Sequence, residues 1–70
     1  MVARLDKDQR ELIRRLFAVA TMIASEAEEI AVKGQSPKLS IGQYKTTARQ
    51  LLNRAEDLAT VAGTIEVITR

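Results

Sequence analysis

The sequence predicts an all-α chain: two long antiparallel helices forming a helical hairpin, of a kind that dimerises into a four-helix bundle. Three observations carry this. Gly and Pro break the chain together in one stretch, Gly34-Gln35-Ser36-Pro37-Lys38-Leu39-Ser40, while residues 6–33 contain neither. Apolar residues recur at heptad spacing on both sides of that break. A chain of 70 residues with no Cys and no His lacks disulfides and the commonest metal ligands. Helix packing and association are then left to hold so small a core together.

The first helix is expected at about 6–33. Asp6-Lys7-Asp8-Gln9 has the spacing of a capping box, and acids at 6 and 8 suit the positive end of the helix dipole. A seam through positions 2, 5, 9, 12, 16, 19, 23, 26 and 30 is apolar except at Gln9 and Glu26. A straight helix drifts against a strict heptad, so Glu26 is expected on the flank with Ala27 taking the inward place. Beside the seam runs a second apolar row: Ile13, Phe17, Ala20, Ala24, Ala27 and Ala31. Lys33 followed by Gly34 reads as a basic last turn closed by a C′ glycine.

Residues 34–39 form the loop, with Pro37 placed where no helix continues. Ser40-Ile41-Gly42-Gln43 then opens the second helix, about 40–69, as a capping box, and Leu39 is placed to staple onto Tyr44. Its seam through 41, 44, 48, 51, 55, 58, 62, 65 and 69 alternates Ala48, Ala55 and Ala62 with Tyr44, Leu51, Leu58 and Ile65. Leu52 and Ala59 lie on one shoulder, Val61 and Ile68 on the other. The β-branched run Thr64–Thr69 is the weakest helical stretch.

Charge supports the antiparallel order. Glu26, Glu28 and Glu29 at the end of the first helix would lie beside Lys38, Lys45, Arg49 and Arg54. Arg4, Lys7, Arg10, Arg14 and Arg15 would lie beside Glu56, Asp57 and Glu66. Each exposed pair adds only about 0–1 kcal/mol, so the pattern selects orientation more than stability.

The same inventory narrows function. Without His or Cys the usual general base and thiolate nucleophile are missing, so no catalytic residue is assigned and the chain is read as non-enzymatic. Glu28-Glu29 and Glu56-Asp57 are adjacent pairs, pointing about 100° apart on a helix rather than converging. Glu26 and Glu29 share a face, but two carboxylates make a poor metal site. No metal or cofactor is expected, and no glycine-rich phosphate loop occurs. The longest largely apolar run without charge, Leu16–Ala24, is nine residues, about half of what spans a bilayer. Asp6, Asp8 and Glu11 spoil the basic region that a signal peptide would need, so a cytoplasmic location is expected.

One hairpin hides one stripe per helix, and these helices carry more. Ile13, Phe17, Ala20, Ala24, Ala27, Leu52 and Ala59 are therefore assigned to self-association, as a homodimer, or to binding another protein. The alternative is a dimeric nucleic-acid-binding regulator gripping phosphates with Arg10, Arg14, Lys45 and Arg49. The net charge is only +2 and acids interleave with these residues, so a solvated face is favoured over nucleic acid.

Overall fold

The computed structural model describes residues 5–70 and contains two helices, α1 (Lys7–Gly34) and α2 (Ile41–Ile68). They pack against each other as an antiparallel hairpin measuring 54 × 16 × 13 Å. Each helix has 28 residues, which at 1.5 Å per residue is about 42 Å.

Both helices start on complete capping boxes. Gln9 N–H donates to the Asp6 carboxylate at 2.7 Å, and the Gln9 side chain accepts from Asp6 N–H at 3.0 Å. Ser40 and Gln43 repeat the exchange at 3.2 and 2.8 Å. Four otherwise unsatisfied amides thus find partners. The Thr64–Thr69 stretch stays helical to Ile68, and the hydroxyls of Thr64 and Thr69 bond back to the carbonyls of Thr60 and Ile65.

Gly34 differs from the sequence expectation. It is the last helical residue rather than a left-handed C′ residue, and Gln35 caps the helix in a right-handed conformation. Neither positive φ nor packing requires a glycine here. A Cβ there would stand 3.5 Å from Thr47 Cγ2, so α2 passes close by.

The seam also differs: of the nine positions expected on α2 only Leu58 and Ile65 are withdrawn from solvent, and Ile41, Tyr44 and Leu51 are exposed, Ile41 at 87%. On α1 the half-buried apolar residues are Ile13, Leu16, Ala20, Ile23, Ala27 and Ile30; on α2 they are Leu58, Val61 and Ile68 around the buried Ile65. Leu16, Ile23 and Ile30 keep their expected places. Ala27 takes the inward place with Glu26 on the flank, as expected; Ile13 and Ala20 replace Leu12 and Val19, and on α2 Arg54, Val61 and Ile68 replace Ala55, Ala62 and Thr69. The physical reason is rotation of both helices about their axes. It sets Glu26 on the flank, where it meets Arg54 at 2.9 Å, and it exchanges Ala62 and Thr69 for the larger Val61 and Ile68. Ala48, Ala55 and Ala62 are consequently exposed.

Candidate interaction face

Three contacts fix how the helices run past each other. Gly34 meets Thr47, Glu26 meets Arg54, and the Tyr44 hydroxyl donates to the Ser36 carbonyl. Carried along the seam, this register sets Ile23 level with Leu58 and Leu16 level with Ile65.

It also gives the hairpin two unlike sides. A shallow groove of about 400 Å³ is lined by Ala31 and Gly34 of α1 together with Tyr44, Ala48 and Leu51 of α2. A smaller one, about 240 Å³, lies between Glu26 and Ile30 of α1 and Gln50, Asn53 and Arg54 of α2. Helical spacing extends the first side from Ala31 through Ala24 to Phe17, and from Ala48 through Leu52, Ala55 and Ala59 to Ala62. The second side continues into Asp57, Thr60 and Thr64 on α2 and carries the exposed Leu12, Val19 and Met22 on the α1 flank.

Of the seven residues assigned to association, Phe17, Ala24, Leu52 and Ala59 are exposed on the first side; Phe17 is 56% and Leu52 52% accessible. Ile13, Ala20 and Ala27 belong to the hairpin's own seam, where they sit half-buried, one helical turn from the next row. The residues that sequence reasoning left out are Ala48, Ala55 and Ala62. It had placed them in the hairpin seam, and only the mutual rotation of the helices turns them outward.

The basic residues do not converge. Arg10 and Arg14 lie near the open end on α1, while Lys45 and Arg49 lie in the first turns of α2, about 26–38 Å away along the hairpin. Arg14 is already engaged, its Nη2 donating to Glu11 Oε1 at 2.6 Å, and Arg15 joins at 3.3 Å. The hydrogen bond from Arg14 lowers the Glu11 pKa to about 2, with charge attraction from Arg14 and contacts from Arg15 adding to it. The Arg14 pKa is raised in return by the same bond. Arg54 forms a second ionic group, bridging to Glu26 on α1 and to Asp57 on its own helix at 2.8 Å. Its signal in the sequence was Glu26 on the facing flank of the first helix.

The largest depression, about 780 Å³, lies between Lys33 and the first turns of α2 near Ser40, Gln43 and Thr47. Ser40 and Gln43 already occupy each other's backbone amides there. Among the described residues no polar or charged side chain is buried, and no group of three His, Cys, Asp or Glu residues comes together. No described helix is long and apolar enough to cross a membrane. Comparison with protein-family models, with curated proteins and with solved structures finds no match to this chain.

Proposed function

We propose that this chain is a small non-catalytic helical interaction protein: a cytoplasmic adaptor or regulator that self-associates, two hairpins closing into a four-helix bundle. One observation carries the reading. Among the described residues Ile65 alone is buried, at 9% accessibility, while large apolar side chains stay open on both helices, Phe17 and Leu52 on one side and Leu12, Val19 and Met22 on the other. The chain exposes 5841 Å², against about 4,400 Å² for a compact monomer of this mass. That excess is larger than the roughly 800 Å² each partner gives up in a standard interface. A second copy is the economical source of cover, and another protein using the same rows would meet the same chemistry.

Sedimentation equilibrium at micromolar concentration tests this. The expected mass is twice 7.8 kDa; a folded species that stays at 7.8 kDa across the range sinks the reading. Nucleic-acid binding is the weaker proposal, since its four basic residues form two distant pairs and one of them is occupied by Glu11.

A further inference from the structure

We infer that the second copy seats on the Phe17–Leu52 side with both loops at the same end, so that α1 of each hairpin lies along α2 of the other. This rests on the self-association proposed above and specifies its geometry.

The first argument is size. Along α1 the inner row of the open side reads Phe17, Ala24, Ala31; along α2, in the opposite direction, it reads Ala62, Ala55, Ala48. The register fixed by Gly34–Thr47 and Glu26–Arg54 puts these rows level. A two-fold axis parallel to the helices introduces no shift along them. Phe17 therefore comes down on the second copy's Ala62, Ala24 on its Ala55, and Ala31 on its Ala48. The outer rows agree: Thr21 meets Ala59, and Leu52 fits between Ala24 and Ala31. Each large side chain finds small ones, the pattern that lets helix axes approach closely.

The second argument is charge. The corners of this side alternate in sign: Arg10 and Arg14 on α1 and Glu66 on α2 at the open end, Glu28 on α1 and Lys45 on α2 toward the loop. Laying α1 on the second copy's α2 brings Arg14 level with Glu66. Glu28 and Lys45 do not come level in this register, and Arg14 would share its guanidinium between Glu66 and Glu11. Shape complementarity, with one level pair of unlike charge, thus points to a second copy of this chain as the occupant.

The competing two-fold, with loops at opposite ends, lays α1 on α1. It also joins unlike charges, Arg14 with Glu28. When Phe17 is set over Ala24, however, Leu52 falls over the end of the partner helix near Thr69, and Ala48 and Ile41 hang beyond it. Size complementarity selects the first arrangement.

The absence of native cysteine makes cross-linking clean. Chains carrying Ala24→Cys are mixed with chains carrying Ala55→Cys and oxidised. The mixture is expected to give a covalent dimer and each variant alone to give little. Thr21→Cys alone is expected to remain uncross-linked, because the two Thr21 positions lie on diagonal helices. A covalent dimer from Thr21→Cys alone, or none from the mixture, overturns this arrangement while a sedimenting dimer leaves self-association standing. In parallel, Phe17→Asp should weaken the dimer about 100-fold or more, and a dimer indifferent to it overturns the choice of side. Glu66→Arg should weaken it roughly two- to fivefold, and adding Arg14→Glu should restore it. Rescue by Glu28→Lys of a defect introduced at Arg14 would instead assign the opposite-loop geometry. A wild-type chain that is monomeric removes both proposals together.

Discussion

At the loop end the two helices are tied by short polar links; at the open end they are held by large aliphatic side chains. Near the loop, Gly34 lies in ordinary contact range of Thr47 and Tyr44 reaches back to Ser36, and toward the middle Glu26 meets Arg54. Near the open end, Ile13, Leu16, Val61 and Ile68 surround Ile65, the one buried residue described, and no ion pair joins the helices among the described residues there. Local closures set direction and register cheaply in chain entropy, because the groups they join are near in sequence. Contacts at the open end close the longest segment of chain and so depend on apolar burial. A hairpin built this way defines its geometry at one end and draws its stability at the other.

The comparison is best broken at Ile65. Ile65→Ala should cost about 2–3 kcal/mol, the low end for a truncated core aliphatic because its neighbours remain half exposed. Urea titration at fixed protein concentration reads this, the fixed concentration being needed because the proposed self-association would contribute to apparent stability. A loss under about 1 kcal/mol would mean that the open end is held by something other than this packing. Hydrogen exchange in the same variant should rise first in the last turns of α2.

Next in size is the cap at the other end. Ser40→Ala removes the acceptor for Gln43 N–H and should cost about 1 kcal/mol. Because capping acts locally, its loss should loosen the first turn of α2 and the loop while leaving exchange near Ile65 largely unchanged. Uniform loosening along both helices would erase the distinction between the ends.

Much of this division was legible in the sequence. The capping boxes at Asp6–Gln9 and Ser40–Gln43 and the Gly-Pro loop are local signals, and they set the helix boundaries to within a residue or two. Part of each seam was legible too, Leu16, Ile23 and Ile30 on α1 but only Leu58 and Ile65 on α2. The rest was not. Leu12 competes with Ile13, Val19 with Ala20, and Ala62 with Val61; the choice depends on where the facing helix places Arg54 and Thr47, which no local pattern contains. The rows Phe17–Ala24 and Leu52–Ala59 could each be read from spacing within one helix. That they share a side, joined by Ala48, Ala55 and Ala62, follows from the register between helices and needed the structure.

Gly34 gives a smaller effect of opposite sign. It is helical, with no need for positive φ, and a Cβ would meet Thr47 Cγ2 at 3.5 Å, an ordinary van der Waals distance. Gly34→Ala should therefore stabilise by about 0.5–1 kcal/mol through reduced freedom of the unfolded chain and better helix propensity. Gly34→Leu, too large for that gap, should destabilise. If Ala also destabilises, the approach of α2 is tighter than simple contact and the loop end is more constrained than its polar links imply.

The smallest effect belongs to the ionic group at the open end. Glu11 is held at a pKa of about 2, below its ordinary value of 4.5, chiefly by the hydrogen bond from Arg14. A carboxylate whose folded pKa is depressed contributes stability that is full above its unfolded value and fades as pH falls toward the folded one. The melting temperature of the native chain should exceed that of Glu11→Gln near neutral pH, and the gap should close between 4.5 and about 2. The gap should be small, because Glu11, Arg14 and Arg15 are all solvent-accessible and both contacts lie within one helix. It should also shrink in high salt. A large gap, or one that persists at low pH, would show that this group does more than order one turn of α1. The open end would then have an ionic anchor of its own, and its contrast with the loop end would narrow.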